Sequence, residues 1–311
     1  MKNIQADIKS GNFKQVYLLY GEEAYLKQQY KQNLVKALNP DGDTMNFNHY
    51  EGKGIDVKQL IDLCETMPFF AERRVVLLED TGFFKNKCEE LADYMKELPD
   101  YLYLVFAETE VDKRNRMYKA VKSCGSIAEF IRQDEKTLMR WAAGILGKAG
   151  KKITQRDMEL LLTKTGTDMG NLRMEMEKLI SYTEGRDVVT AEDIEEICTT
   201  QTTNRIFDMV RAVTEKNQKR ALELYYDLLT LKEPPMRILF LLAKQYRQLL
   251  LAKQFAAAGL AQTEIASKLG VPGFVVRNIT TCARAYTISE LEQAVKDFAV
   301  SYTHLTLPTK A

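Results

Sequence analysis

The sequence predicts an α/β domain with a mostly parallel sheet, followed by helical domains in the second half of the chain. Two observations support this prediction. Over the first 130 residues or so, short apolar runs alternate with helical stretches, as in a parallel sheet covered by helices. After Asp134 this alternation ends, and amphipathic helical patterns follow.

The amino-terminal domain, predicted over residues 1–135, contains five strand-like runs. They lie at residues 16–20, 44–50, 74–78, 101–106 and 126–130. The first, third and fourth runs are almost continuously apolar, as expected for parallel strands that are buried on both faces. The connecting stretches at 24–38, 57–64, 88–98 and 115–121 have helical composition.

A small helical domain is predicted over residues 136–204. An apolar stripe at helical spacing runs through residues 171–183. Thr190, with Asp193 three residues later, is typical of a capping box and marks the start of a further helix. We expect no strands in this domain.

A third domain, predicted over residues 205–300, is helical and more basic. It carries 14 Lys and Arg residues against 9 Asp and Glu residues, a net charge of +5. Pro234 and Pro235 end its amphipathic helix, because proline cannot continue one. A long apolar helix from about 236 to 255 follows, and we expect it to be largely buried.

The last eleven residues, 301–311, differ from this pattern. They are rich in Thr, include Pro308 and carry no helical stripe. We expect the helices to end near Ala299 and the remainder to be an irregular tail, with a sequence foreign to the domain as the alternative.

Composition and charge exclude several classes of protein. The 311 residues suffice for two or three domains, and 45% hydrophobic with 28% charged residues excludes a disordered or fibrous chain. Basic and acidic residues nearly balance, 44 against 43, which argues against a surface that attracts nucleic acid or anionic lipid as a whole. No apolar run approaches the roughly 18–20 residues of a membrane span, and the amino end lacks the pattern of a signal peptide. We therefore expect a soluble, cytoplasmic protein with no membrane partner.

No catalytic site can be assembled from residue spacing. The five cysteines are scattered and no pair has the two-residue spacing of a metal site, which indicates a reducing compartment and no bound metal. His49 lies in a predicted strand and His304 in the predicted tail, so no nucleophile, base and orienting group come together. We predict no catalytic residue and no cofactor.

The turn after the first strand is where a nucleotide-binding domain places its phosphate loop. That loop needs glycines, a Lys for the β- and γ-phosphates and a Ser or Thr for magnesium. Here the chain has Gly21, Glu22 and Glu23, so carboxylates lie where phosphates would bind. Glu79 and Asp80, after the third strand, fit the acidic tip of a nucleotide hydrolase only loosely, and a solvated strand end is the alternative. The pattern predicts a degenerate nucleotide loop without hydrolysis.

Large apolar residues occupy the connection before the third strand. Pro68 interrupts the preceding helix, which leaves Met67, Phe69 and Phe70 on a turn beside charged residues. Such side chains either fold back onto the core or form a knob for a pocket on a partner. If exposed, two phenylalanines and a methionine are well suited to form a binding hot spot.

The order of these features resembles the delta subunit of the bacterial DNA polymerase III clamp loader. The resemblance covers nearly all of residues 1–300 and rests on the order and spacing of several segments. They are the opening VYLLYGEE at 16–23, the loop MPFF at 67–70 before the strand at 73–78, the helix NLRMEMEKL at 171–179, the pair 221–224 and 233–235, and 264–272 before Phe274.

The resemblance implies a fold and a role. The fold is an AAA+ module with a RecA-like parallel sheet and a degenerate nucleotide site, a helical lid and a helical collar that assembles with other loader subunits. Members of this family do not hydrolyse ATP themselves, although within the polymerase III holoenzyme they would be classed with DNA-directed DNA polymerases. They open the ring-shaped sliding clamp by inserting hydrophobic side chains, which map here onto Met67, Phe69 and Phe70. The implied partners are the sliding clamp (beta subunit), the ATPase and delta-prime subunits, and primer–template DNA.

The sequence departs from related proteins at two places. Related ATPase subunits carry a Ser-Arg-Cys finger near the end of the sheet, whereas this chain has Ser123 and Cys124 without the Arg between them. After Val300 the sequence also lacks the Ile-Lys and Gly ending of the last collar helix, which puts collar assembly in doubt.

Two other functions stay open at this point. An active AAA+ nucleotide hydrolase would bind ATP, which the Gly21–Glu23 turn argues against. A helix-turn-helix transcription regulator is the second, with residues 263–277 as the motif. Arg277 and Asn278 would be its only strong base-reading candidates, which is poor chemistry for a major groove. The basic excess of the last third would serve phosphate contacts to DNA or form a solvated face.

Overall fold

The structure is a computed structural model that describes residues 2–200 and 202–306. The chain divides into two compact units, the first ending at Gln133 and the second beginning at Asp134. The predicted fold class, an α/β domain followed by helical structure, is confirmed. The division of the second half at residue 204 stays a prediction.

The first unit is built on a five-stranded parallel sheet. Its strands are β1 (Val16–Tyr20), β2 (Phe47–Glu51), β3 (Arg74–Glu79), β4 (Leu102–Glu108) and β5 (Ser126–Glu129). They lie in the order β2-β3-β4-β1-β5, and every pair is parallel. All five strands therefore begin at one end of the sheet, here called the amino end, and finish at the other, the carboxyl end.

Helices cover both faces of this sheet. They are α1 (Lys2–Ser10), α2 (Ala24–Leu38), α3 (Val57–Glu65), α4 (Glu89–Tyr94) and α5 (Arg116–Cys124). Alternate residues of each strand belong to different apolar cores. Leu18 and Val76 pack with residues of α3, α4 and α5, whereas Leu19 and Val75 pack with residues of α1 and α2. This two-sided burial explains why β1, β3 and β4 are almost continuously apolar.

The second unit is mainly helical. Its elements are α6 (Glu135–Lys148), β6 (Lys152–Ile153), α7 (Gln155–Thr165), α8 (Met169–Tyr182), β7 (Val188–Val189), α9 (Ala191–Ile197), α10 (Thr202–Thr214), α11 (Gln218–Thr230), α12 (Pro235–Ala257), α13 (Gln262–Leu269), α14 (Gly273–Ala283) and α15 (Ile288–Thr306).

The predicted capping box of Thr190 and Asp193 is present at α9. The prediction of no strands here is wrong, because β6 and β7 form a short parallel ladder. Strands of two residues are too short to produce a periodic signal.

Two further predictions for the second unit are wrong in part. The residues of α12 that are fully buried lie along its length at helical spacing, but Phe240 on the same helix is largely exposed, so the helix is not buried on several faces. The predicted irregular tail at 301–311 is helical as far as Thr306, where α15 ends. No helix breaker separates Ile288 from Thr306, and Pro308 is the first residue that disfavours helix before it. Residues 307–311 lie outside the described part of the chain.

Candidate functional site

The connection between α3 and β3 is an irregular loop at the amino end of the sheet. Asp56 begins α3 as its N-cap, and the N–H of Thr66 closes it by donating to the carbonyl of Leu63. Pro68 has no N–H for a further helical turn, so the chain leaves the helix here. Residues 66–73 are called the hydrophobic loop below.

The hydrophobic loop exposes its large apolar side chains. Met67 is 74% exposed, Phe69 56% and Phe70 95%. The alternative in which these residues fold back onto the core is therefore wrong. Covering apolar side chains of this size with a partner stabilises the complex, so the loop has the composition of a docking element.

The two phenylalanines form the aromatic tip of the loop. Their ring centroids lie 4.4 Å apart with an edge-to-face angle of 77°. Phe70 has a positive φ of 50°, a conformation that costs a non-glycine residue about 1–3 kcal/mol. The surrounding structure must offset this strain for the tip to keep its shape.

Arg74, the first residue of β3, holds the amino-terminal part of the loop. Its side chain is buried, and its Nε donates to the carbonyl of Thr66 at 2.8 Å while Nη2 donates to the carbonyl of Met67 at 3.3 Å. The third contact runs from Nη1 to Oδ1 of Asn48 on β2, at 3.2 Å. The guanidinium thus satisfies the carbonyls that leave α3 and ties them to the sheet.

Arg73 holds the other end of the loop. Its guanidinium carbon lies 5.2 Å from the ring centroid of Phe13 and 5.4 Å from that of Tyr103. Both distances are within the range of cation–π contact. The loop is therefore fixed where it joins the sheet, and the aromatic tip is the part that faces solvent.

Sequence reasoning missed two residues that lie beside the tip. Asn46 precedes β2 and is hydrogen-bonded through its side chain to both the N–H and the carbonyl of Phe69. Met45, the residue before it, is largely exposed. Nothing in the sequence distinguishes Asn46 from other loop asparagines, and the burial of Arg74 is likewise visible only in the structure.

The carboxyl end of the sheet contains the acidic turn, Gly21–Glu23, between β1 and α2. Gly21 has a φ of 123°, and a Cβ there would lie 2.3 Å from the carbonyl oxygen of Phe130. The N–H of Glu23 donates to that same carbonyl at 3.0 Å. A phosphate loop of the Lys-Ser/Thr type spans about eight residues, whereas this connection has three and lies against the backbone of Phe130.

The acidic turn also places negative charge at the start of α2. Glu23 is the N-cap residue and is buried, and the carboxylate of Glu22 lies 3.4 Å from the guanidinium of Arg132. A helix amino terminus attracts anions through its free N–H groups and its dipole. Here carboxylates of the chain itself lie at this terminus.

The acidic residues that end β3 are bonded to donors of the protein. Glu79 accepts from the ammonium of Lys31 at 2.6 Å and lies 2.9 Å from Nε2 of His49. Asp80 accepts from the N–H and the hydroxyl of Thr109, at 3.0 and 2.7 Å. Both carboxylates considered as the acidic tip of a hydrolase are therefore occupied by protein groups.

Two further ionisable groups at this end, one buried and one partly buried, have hydrogen-bond partners. Glu108 accepts from the N–H and hydroxyl of Thr81 at 3.1 and 2.6 Å, and burial raises the pKa of its carboxyl group. Lys27 donates to the carbonyl of Glu108 at 2.9 Å, and burial lowers the pKa of its ammonium group. The carboxyl end is thus internally hydrogen-bonded.

Metal ligation and membrane insertion have no support in the described residues. Within 2–200 and 202–306, no three side chains of His, Cys, Asp or Glu come together as metal ligands. None of the helices over this part of the chain is long and apolar enough to cross a membrane. At the end of α5, the Ser123 hydroxyl and the Cys124 thiol both donate to the carbonyl of Ala120. Both side chains are thus bonded within their own helix.

The candidate helix-turn-helix consists of α13 and α14, with Gly270 in a left-handed turn between them. On α14, Val276 and Ile279 are fully buried among helices of the second unit. The guanidinium of Arg277 lies 3.7 Å from Glu159 on α7. The base-reading candidates Arg277 and Asn278 lie on the exposed side of α14, and the guanidinium of Arg277 faces a carboxylate.

Fold and site together define a class: an α/β module on a parallel sheet, with a helical second unit and an exposed hydrophobic loop. Two sequence models of one family match the chain. The model for the "DNA polymerase III, delta subunit" matches residues 17–130, and that for the "DNA polymerase III delta subunit, C-terminal domain" matches residues 203–301. The chain belongs to the family of DNA polymerase III delta subunits.

Relatives of this family agree along nearly the whole chain. The DNA polymerase III subunit delta of Bacillus subtilis (strain 168) is 26% identical over 96% of this chain and 89% of its own length. The probable DNA polymerase III subunit delta of Aquifex aeolicus (strain VF5) is 22% identical over 82% and 75%. Among solved structures, the Bacillus subtilis DNA clamp loader delta protein matches with a TM-score of 0.65 and 24% identity, over 99% of this chain and 95% of that one. The structural match shows a shared fold.

Proposed function

We propose that this chain is the clamp-opening subunit of a bacterial clamp loader and binds the sliding clamp through Met67, Phe69 and Phe70. The observation that carries the proposal is the exposure of the aromatic tip on a loop that is otherwise held at both ends. Membership of the delta-subunit family supports a partner among the proteins that act with the clamp loader. A phenylalanine side chain that is fully covered contributes about 1.5–3 kcal/mol, so two of them suffice for a hot spot.

The proposed mechanism is differential binding. A closed ring opens when a ligand binds the open form of one interface more tightly than the closed form, and the shift is limited by that difference in affinity. Changing a ratio of closed to open from 99:1 to 1:99 needs a difference of about 10⁴-fold in affinity. The aromatic tip supports this role because rigid rings that enter a pocket present only in the sprung form discriminate between the two states.

In this proposal the chain is an AAA+ module that does not hydrolyse ATP. The support comes from the carboxyl end of the sheet, where the acidic turn has three residues and Glu79 and Asp80 are bonded to Lys31 and Thr109. ATPase subunits of the loader would set when the loop is presented. The delta-prime subunit, primer–template DNA and a cytoplasmic location complete the proposal, with the basic last third of the chain as the candidate DNA-facing part.

The test is a titration of purified sliding clamp against the full chain by surface plasmon resonance. Replacing Met67, Phe69 and Phe70 by Ala should weaken binding at least about 100-fold, since the anchors are removed. A matched control replaces Met174, Leu231 and Phe240 by Ala, because these side chains are similarly exposed but lie in the second unit. Equal affinity of the loop variant and the parent chain would overturn the proposed site.

The active hydrolase and the transcription regulator are separated from this proposal by simple measurements. An active nucleotide site predicts that about 1 mM Mg-ATP raises the unfolding temperature, since a ligand that binds only the folded state stabilises it. We expect no shift. The helix-turn-helix alternative predicts sequence-specific DNA binding that is lost in Arg277→Ala, and the contact of Arg277 with Glu159 argues against it.

A further inference from the structure

We infer that Asn46 is a positioning residue for clamp binding: its side-chain amide fixes the aromatic tip in the conformation that the clamp recognises. This inference rests on the proposed function of the hydrophobic loop. Asn46 touches no partner itself, because its side chain is buried with 4% of its surface exposed. It would act through Phe69 and, next to it, Phe70.

The contacts of Asn46 join two loops at the amino end of the sheet. Its Oδ1 accepts from the N–H of Phe69 at 2.7 Å, and its Nδ2 donates to the carbonyl of the same residue at 2.8 Å. The carbonyl of Asn46 accepts from the N–H of Val75 at 2.9 Å, which anchors it to β3. One side chain thus holds both polar groups of the residue that precedes the strained position.

Asp43 fixes the orientation of this amide. Its Oδ2 accepts from Nδ2 of Asn46 at 2.5 Å, and its Oδ1 accepts from the N–H of Met45. An ionised carboxylate can only accept, so Nδ2 must face Asp43 and Oδ1 must face the N–H of Phe69. The hydrogen bond from Asn46 is the main reason that the pKa of Asp43 is held below its usual range.

The strained backbone at the tip makes such support necessary. Phe70 has a φ of 50° and is 95% exposed, so its own side chain makes no core contact that would hold it there. Strand pairing satisfies the backbone of β2 and β3, and Arg74 satisfies the carbonyls at the start of the loop. At the tip, the side-chain amide of Asn46 bonds to the N–H and the carbonyl of Phe69. Without it, a larger fraction of chains would hold the tip in other conformations, and the apparent clamp affinity falls in proportion to the competent fraction.

The first experiment measures clamp affinity and Phe69 amide exchange in the full chain. Asn46→Ala should weaken binding of purified sliding clamp about tenfold and remove the hydrogen-exchange protection of the Phe69 N–H. Asn171→Ala is the matched control, because Asn171 also donates from its side chain to a backbone carbonyl, that of Thr165, but lies in the second unit. It should leave both measurements unchanged.

A double-mutant cycle distinguishes positioning from a general loss of stability. In a background with Phe69→Ala and Phe70→Ala, adding Asn46→Ala should not weaken clamp binding further, because the groups through which it acts are gone. A purely structural role would produce the same loss of affinity in both backgrounds and would overturn the inference. If the tip variant alone binds as tightly as the parent chain, the proposed function fails instead, so the two failures are distinguishable.

A complementary pair keeps the test valid if Asn46→Ala folds poorly. Asn46→Asp retains an acceptor for the Phe69 N–H but brings two carboxylates together with Asp43, so clamp affinity should fall. Adding Asp43→Asn restores a donor and acceptor across the pair, and we expect recovery of part of the lost affinity. Absence of any recovery in a folded double variant would contradict the inference.

Discussion

The connections at the two ends of the parallel sheet differ in which side chains they leave exposed. At the carboxyl end, the acidic turn lies against Phe130, and the nearby carboxylates are bonded to protein donors. At the amino end, the loop backbone is equally well bonded, but its apolar side chains point to solvent. Buried polar groups must be satisfied wherever they lie, whereas apolar side chains are left exposed only at a cost. The difference is the reason that the proposed clamp contact is placed at the amino end of this sheet.

The largest effect is expected for Gly21→Ala at the carboxyl end. The new Cβ would lie 2.3 Å from a backbone oxygen of Phe130 while φ stays positive, so clash and strain add, and the free energy of unfolding should fall by about 3 kcal/mol or more. Gly54→Ala tests strain alone, since φ is 94° in open space, and should cost about 1 kcal/mol. Urea denaturation measures both. Equal losses in the two variants would show that the turn is not closely packed.

A smaller effect is expected for Arg74→Lys at the amino end. Lysine cannot reproduce the forked contacts of the guanidinium with the carbonyls of Thr66 and Met67, so the unfolding free energy should fall by about 2 kcal/mol. Arg73→Lys is the comparison, because its contacts are with the rings of Phe13 and Tyr103, and should cost less than about 1 kcal/mol. The same denaturation experiment applies. A reversed order would contradict the view that backbone hydrogen bonds, rather than stacking, hold the loop.

The ion pair of Lys31 and Glu79 tests whether protein cations neutralise the carboxylates at the carboxyl end of the sheet. A double-mutant cycle with Lys31→Met and Glu79→Gln should give a coupling energy of about 1–2 kcal/mol, since both side chains are mostly buried. The exposed pair Lys113 and Glu129 is the control and should couple by less than about 0.5 kcal/mol. Similar coupling in both pairs would show that burial does not strengthen the Lys31–Glu79 pair.

Phe70 allows function and stability to be separated at the amino end. Phe70→Gly should be more stable than Phe70→Ala by about 1 kcal/mol, because glycine adopts a positive φ without strain. Both variants should lose clamp affinity to a similar extent, since both lack the ring. Thermal denaturation and clamp titration test the two statements. If Phe70→Ala were the more stable variant, the tip would not hold the strained conformation in solution.

The smallest effect is the dependence of the loop support on pH. The folded-state pKa of Asp43 lies below its ordinary value of 3.8, so its stabilising contribution is complete above that value and is lost as pH falls through the lower folded pKa. Between pH 2 and 6, the unfolding free energy of the parent chain should therefore fall more steeply on acidification than that of Asp43→Asn. Parallel curves would show that the carboxylate does not support Asn46.

Agreement between sequence and structure is closest for two neighbouring elements. The first strand and α2 begin and end where the apolar run and the helical stretch do. The other predicted strands and helices shift by one to several residues at their ends. The helix α1 was not predicted, since its two apolar residues that pack on the core, Ile4 and Ile8, are too few to define a period.

The candidate site divides in the same way. Residue type alone identified the apolar loop and the acidic turn. Phenylalanine beside proline on a connection is apolar, and glutamate in place of a phosphate loop is negatively charged, whatever fold surrounds them. The support by Asn46 and Arg74 could not be predicted. Asn46 bonds to Phe69, 23 positions away, and Arg74 bonds to residues 7, 8 and 26 positions away, so whether these groups meet depends on strand pairing.

By itself, the sequence determined that this chain has a parallel sheet with helical structure after it, a turn unsuited to phosphates and an apolar loop, because these follow from periodicity and side-chain chemistry. Tertiary structure decided that the loop faces solvent and that its strained tip is held. Exposure and hydrogen bonding depend on which backbone and side-chain groups, distant in sequence, come into contact when the strands pair. Local sequence does not specify these contacts.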